Sequence, residues 1–280
     1  MKDKKFVMGQ SESLVKIENS SGVLRIVKSS PSKDIRLHKQ YDKHKSAEKS
    51  KMDPLLVPKV FTDFEEFSYK MEYVYGIPFG NFIEICDRQE LQEPVQRITD
   101  YLNHSLTNAD RTKSAELQLA FKEKLKLLKK EILLTNGNSL FNRLLDYLEN
   151  AVEEIEIPSG WNHGDFSFEN ILVGQYSNQV FALDFLDSPF DSPLIDVGRI
   201  WLDCRFGWWG AGLHPGSGYQ INSKVLSSSI LEMVLSHSIA IFELDIFAAL
   251  AILRIRPYTQ NPLRMAFLKN SALQILEGQK

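Results

Sequence analysis

The stretch from Trp161 to Val173, WNHGDFSFENILV, constrains this chain more than any other. An acid at Asp165 is followed five residues later by an amide at Asn170. A second acid, Asp184, comes just past the next apolar run, in VFALDFLDSP. Ile171, Leu172 and Val173 read as a short strand, Gly174 to Gln179 as a polar turn, and Val180 to Leu183 as a returning strand. Such a hairpin puts Asn170 and Asp184 at one end of a ribbon, within reach of a single ion. Magnesium takes few ligands from protein, all of them oxygens, and leaves the rest to phosphate and water. One carboxylate and one amide oxygen suit it, and Asp165 on the preceding loop stays free to accept a proton. Each of these residues is also a common turn former. The three together, with apolar strands of fitting length between them, are what carries the inference.

The pattern H-x-D-x-x-x-x-N, with a later Asp, is that of phosphoryl-transfer catalytic loops. WNHGDFSFENILV and ALDFLDSPFDSPLIDVGRI closely resemble the aminoglycoside phosphotransferase and choline kinase-like superfamily. The motif HGD-x-x-x-x-N is complete at His163, Gly164, Asp165 and Asn170, the metal Asp matches Asp184, and a P-x-x-D element matches Pro193 and Asp196. The resemblance implies an α+β, bilobal protein-kinase-like fold, ATP and magnesium as cofactors, and a small molecule with a hydroxyl group as acceptor. It implies Asp165 as catalytic base, Asn170 and Asp184 as metal ligands, and Asp196 as a brace for the catalytic loop. The specific part covers about residues 161–203. Choline kinases carry a Glu two residues past the metal Asp. Here that position is Leu186, with Asp187 one residue late, which speaks against choline.

The opening of the chain reads as β-rich. Ser13 to Glu18 and Val23 to Lys28 form a hairpin about a turn at Asn19–Gly22. The resemblance makes Lys28, at the end of VLRIVK, the candidate for the nucleotide phosphates. Gly9 to Ser13 is a polar loop with one glycine and no phosphate-cradling signature. A helix is expected over 34–51. It carries two acids, Asp42 and Glu48, either of which could pair with Lys28. Val57–Phe61 and Phe67–Tyr75 read as strands. By order in the family layout, the backbone of Glu72, Tyr73 and Val74 would meet adenine. The lobes are then residues 1–75 and 76–280.

Beyond Asp87 the pattern is helical, with apolar faces such as Leu91, Val95, Ile98, Tyr101 and Leu102. Residues 205–222, RFGWWGAGLHPGSGYQIN, show no period. Trp208 and Trp209 there either stack on a sugar-like acceptor or pin the loop to the helical lobe. His214 has no evident partner.

Composition excludes other classes. A formal net charge of −3 lacks the basic footprint of a nucleic-acid binder. The two cysteines are far apart and suggest neither a disulfide framework nor a zinc site. Ile239 to Ile255 is interrupted by Glu243, Asp245 and Arg254, so it reads as a buried helix and not a membrane span. With no signal-like apolar run in MKDKKFVMGQSES, the expected location is cytoplasmic. The expectation is an ATP- and magnesium-dependent phosphotransferase acting on a sugar or sugar-derived hydroxyl. The alternatives are a protein kinase or a catalytically inactive nucleotide-binding module.

Overall fold

A computed structural model describes residues 5–6, 13–49, 52–134, 139–175, 178–213 and 215–278. Gly9 to Glu12 and His214 lie outside them. The expected hairpin forms from β2 (Leu14–Ser20) and β3 (Val23–Ser29). Ser21 and Gly22 between them both take positive φ, 53° and 83°, the geometry of a two-residue turn that follows the strand twist. With β1 (Lys5–Phe6) and β4 (Ser68–Glu72), they make an antiparallel sheet ordered β1-β2-β3-β4. Lys28 sits between Val15 and Tyr69 in this ladder.

The helix expected over 34–51 is α1, Ile35–Ala47, N-capped by Asp34, whose carboxylate accepts from the Arg36 N–H. Its buried stripe is Leu37, Gln40, His44 and Ala47. Leu37 joins Val60 and Tyr69 in a small core between helix and sheet. The strand expected over Val57–Phe61 is reduced to one isolated bridge, Val60 to Met71. Pro58 is the reason, since it has no N–H to give to a ladder. The strand expected to run to Tyr75 stops at Glu72. The chain then enters a second sheet at β5 (Gly76–Pro78), which pairs with β6 (Ile171–Gly174) and through it with β7 (Val180–Ala182).

The remainder is helical: α2 (Phe79–Ile85), α3 (Arg88–Thr107), α4 (Ser114–Leu134), α5 (Ser139–Ala151), α6 (Leu194–Trp201), α7 (Ser217–Ser236), α8 (Ile241–Ile255) and α9 (Pro262–Glu277). The apolar stripe expected on α3 is buried in full. A small β-rich lobe on a larger helical one is the kinase-like architecture expected. Among the described residues, no helix is long and apolar enough to cross a membrane.

The aperiodic stretch begins as one π-helical turn, Leu202–Phe206, and ends inside α7. Both tryptophans are buried, at 3% and 6% exposure, so they pin the loop and do not present faces to a ligand. Trp208 packs on Phe267 and Trp209 on Tyr219. Gly80 on α2 makes room for Trp209: a Cβ there would lie 2.2 Å from the indole.

His44 ties α1 to the segment before β4, its Nε2–H donating to the Pro58 carbonyl at 2.7 Å. Burial holds its imidazole pKa down to about 4. The unfolded chain takes up this proton first, so stability is lost as pH falls from about 6.5 towards 4, by roughly 3 kcal/mol from this group. Urea unfolding across that range should show a shallower loss for His44→Gln than for the parent. Equal slopes would contradict the assignment.

Candidate active site

The loop from Trp161 to Asp165 is held from below by one carboxylate. Asp196, in the first turn of α6 and 1% exposed, accepts from the His163 N–H at 2.6 Å, the Gly164 N–H at 2.9 Å and the Tyr101 hydroxyl at 2.7 Å. This is the brace expected from the P-x-x-D element. Gly164 takes φ +92°, and a Cβ there would stand 2.2 Å from the Leu186 carbonyl oxygen, so only glycine lets the segment after Asp184 fold over the loop. His163 faces both sides. The Asp165 N–H donates to its Nδ1 at 3.3 Å, which leaves Nε2 as the protonated nitrogen, donating to the Leu183 carbonyl at 2.7 Å. Burial lowers the His163 pKa, in keeping with a neutral ring.

Both oxygens of Asp165 are engaged. Oδ1 accepts from Arg199 Nε at 2.8 Å and Oδ2 from Asn170 Nδ2 at 3.0 Å. Burial alone would raise the Asp165 pKa, but the Arg199 and Arg254 guanidinium groups outweigh it and hold the carboxyl below its ordinary range. Arg199 also donates to Asp203 Oδ2 at 3.0 Å, and the same oxygen accepts from the Phe168 N–H at 3.0 Å. Burial pushes the Asp203 carboxyl up to about 6. Sequence reasoning missed Arg199 and Asp203. The signal was present in DVGRIWLD, where an Arg and an Asp four residues apart interrupt an otherwise apolar helix.

Asn170 and Asp184 stand at one end of the β6–β7 hairpin, where the Leu183 N–H donates to the Asn170 carbonyl at 2.8 Å. The Asn170 amide nitrogen donates to the Asp165 carboxylate and, at 2.9 Å, to its carbonyl. That leaves the side-chain oxygen, which has no hydrogen-bond partner among the described residues. Asp184 adopts φ +62°, a left-handed conformation uncommon for an aspartate and typical of functional positions. Its Oδ1 pairs with Lys28 Nζ across the lobes. Lys28 is 5% exposed and also donates to Gln40 Oε1 at 2.9 Å. Burial works against its charge, and Asp184 more than offsets this, so the ammonium pKa lies above its ordinary value.

Neither acid of α1 pairs with Lys28. Asp42 lies on the exposed face beside His38, and Glu48 ion-pairs with Lys45 and accepts from the Val60 N–H. Helical phase puts Gln40 on the buried stripe and Asp42 off it, while Glu48 caps the end of α1, eight residues past Gln40. Asp187 is ion-paired with Lys39 at 2.7 Å. Of the three residues expected along adenine, Glu72, the last of β4, already donates its N–H to the Lys59 carbonyl. Tyr73 and Val74 make no backbone hydrogen bond among the described residues.

A family model described as the phosphotransferase enzyme family matches residues 9–217. The chain belongs to that family. It is an enzyme, a small-molecule kinase with a hydroxyl acceptor. No curated sequence matches the chain as a relative. Among solved structures, a thermostable mutant of aminoglycoside phosphotransferase APH(4)-Ia is similar at a TM-score of 0.66 and 14% identity, over 100% of this chain and 95% of that one. Choline kinase LicA from Streptococcus pneumoniae gives 0.61 and 12%, over 99% and 94%. Plasmodium vivax ethanolamine kinase gives 0.55 and 12%, over 99% and 81%. At these identities the structural likeness speaks to the fold.

Arg199 neutralises two carboxylates in a buried setting. Replacing it by Met leaves both unpaired, at a cost of about 3–5 kcal/mol. Urea unfolding of Arg199→Met should show that loss, and adding Asp203→Leu should recover much of it. A loss under about 1 kcal/mol would show the pairs to be dispensable.

Proposed function

We propose that this phosphotransferase moves the γ-phosphoryl group of ATP to a hydroxyl of a small molecule in the cleft between the lobes. The observation that carries the reading is the meeting of four side chains. Asp165 and Asn170 touch on the loop, Asp184 stands at the same hairpin end as Asn170, and Lys28 reaches Asp184 from the other lobe. Lys28 would serve the nucleotide phosphates, and the backbone of Glu72, Tyr73 and Val74 would lie along the base. With the Glu72 N–H committed, the donors left there are those of Tyr73 and Val74. Residues 1–75 and 76–280 are the proposed lobes.

The donor set fits magnesium. Asp184 Oδ2 and Asn170 Oδ1 are hard oxygens with no hydrogen-bond partner among the described residues, and the left-handed backbone at Asp184 sets its side chain at the hairpin end. Bound there, the ion would supply charge neutralisation for the transferred phosphoryl group. Asp165 orients the acceptor hydroxyl and takes its proton. Arg199 and Asn170 fix both carboxylate oxygens, so that the hydroxyl meets one geometry. A carboxylate with a lowered pKa is a weak base, which suits a proton released late in a loose transition state. Positioning and electrostatics then account for most of the rate.

A solved neighbour held as a ternary complex with ADP and hygromycin B supports a site taking a nucleotide and a small acceptor together. The acceptor proposed from the sequence is a sugar or sugar-derived hydroxyl. Burial of Trp208 and Trp209 removes the ring-stacking argument for it. Dependence on ATP favours a cytoplasmic location.

Asp165→Ala and Asp184→Ala should each lower the turnover of ATP with any accepted substrate by roughly 100- to 10,000-fold. Their circular dichroism should stay that of the parent. Near-normal turnover in both would defeat the assignment.

A further inference from the structure

The Arg199 guanidinium is held at two points by two different carboxylates. Its Nε donates to Asp165 Oδ1 at 2.8 Å, and its Nη1 donates to Asp203 Oδ2 at 3.0 Å. An arginine with a single carboxylate to serve commonly turns its planar fork onto both oxygens. With Nη1 taken by Asp203, Arg199 meets Asp165 through Nε at one oxygen. Asp165 Oδ2 then has only the Asn170 amide against it, at 3.0 Å, and in the proposed reaction it can also meet the acceptor hydroxyl.

Asp203 is itself firmly placed. It is 1% exposed and lies four residues past Arg199, in the π-helical turn that prolongs α6. Such turns are rare and recur at functional sites. The Asp203 carbonyl accepts from the Gly207 N–H at 3.1 Å and from the Tyr219 hydroxyl at 3.2 Å. Gly207 closes the turn at φ +85°, and the Tyr219 ring packs on Trp209 with centroids 5.1 Å apart. The aperiodic stretch around the tryptophans, which does not present them to a ligand, thus bears on Asp203. The Asp203 side chain reaches the loop directly as well, where Oδ2 accepts from the Phe168 N–H, three residues past Asp165.

Asp203 Oδ1, in contrast, is buried with no hydrogen-bond partner among the described residues. Leaving a buried carboxylate oxygen unsatisfied is unfavourable, and packing alone would be better served by an apolar side chain. What the carboxylate adds is direction for Arg199. Resting on the reading of Asp165 as the base, we infer that Asp203 is a positioning residue for phosphoryl transfer: it sets the rotation of the Arg199 guanidinium, and so which Asp165 oxygen is left for the acceptor.

Protonation of Asp203 would release that hold. The groups around its carboxylate are Arg199 on α6, Asp165 and Glu169 on the loop, neighbouring Cys204, and Tyr219 on α7. Asp245 on α8 is turned to the Trp201 indole, which donates to it at 3.0 Å. Burial outweighs Arg199 and pushes the Asp203 carboxyl up to about 6. Oδ1 is the oxygen free to take the proton. Below about pH 6 the neutral group keeps a weaker bond to Nη1.

The test uses the full chain in two measurements. The first needs no ligand. Nitrogen-15 NMR of the Arg199 side chain, assigned by its loss in Arg199→Lys, reads rotation about the Nε–Cζ bond. Asp203→Asn is isosteric and uncharged, and it should speed that rotation by about tenfold or more at neutral pH. Lowering the pH of the parent from about 7.5 to about 5 should speed it severalfold with no substitution, so the test survives a variant that folds poorly. The second measurement is ADP release from ATP with magnesium, water serving as acceptor. Asp203→Asn should lower kcat about tenfold while the KM for ATP moves less than about twofold. The parent's kcat should fall as pH drops through about 6, and that limb should be missing from the variant.

A rotation rate unchanged by either step overturns the inference, whether or not ADP is released. So does a kcat in Asp203→Asn equal to the parent's, or the same acid limb in both proteins. A parent that neither releases ADP nor gains Tm with ATP and magnesium would count against the kinase reading itself, a separate result.

Discussion

The buried carboxylate of Asp196 is the contact on which the rest of the site depends. It takes three donors, two from the backbone of His163 and Gly164 and one from Tyr101 on α3. Hydrogen bonds to a charged acceptor out of water are among the stronger single contacts in a protein. With the loop fixed there, Asp165 emerges at one place and Asn170 at another. Arg199, one turn further along the same helix, then meets Asp165 from α6 itself. The helix that braces the loop therefore also sets the direction of the reactive carboxylate.

A second set of contacts joins the lobes, and most of it runs through α1. Gln40 holds Lys28 towards Asp184. One turn on, Lys43 reaches the Asn162 side chain at 3.0 Å, the Leu186 carbonyl at 2.7 Å and Ser188 Oγ at 3.0 Å. Lys43 thus ties the N-terminal flank of the loop to the segment after Asp184. A neutral amide beside Lys28 has a consequence for charge. With no acid from α1 to share it, the ammonium is balanced among the described residues by Asp184, and in the proposed reaction a bound phosphate would take over that role. Lys39, on the same helix, engages Asp187, so the basic side of α1 serves in part as the seam between lobes.

The spacing that builds the proposed site was legible because its information is local. Five residues separate Asp165 from Asn170, and a hairpin of readable length separates Asn170 from Asp184. The β2–β3 hairpin was equally plain, since Asn19–Gly22 announces the turn and VLRIVK the strand. What could not be read depends on tertiary phase. Asp42 and Glu48 were reasonable partners by charge, but only the helical stripe through Leu37 and Ala47 tells which side chain faces Lys28, and that is Gln40. Pro58 quietly cancelled a strand that its neighbours favoured. Trp208 and Trp209 fell in an aperiodic run that looked like a binding loop, yet Gly80 and Phe267 from distant elements bury them. Arg199 and Asp203 were visible as charges in an apolar helix, but the other carboxylate that Arg199 holds, Asp165, is over thirty residues away in sequence and only the fold brings it near.

In the proposed site Asn170 and Asp184 offer their oxygens to one divalent ion beside the nucleotide. Manganese can stand in for magnesium at such oxygen-donor sites, and its binding is read directly by electron paramagnetic resonance. Titrating manganese into the protein with a non-hydrolysable ATP analogue should show a protein-bound ion that is lost in Asp184→Asn and weakened in Asn170→Leu. The same bound signal in the parent and in both variants would contradict the claim.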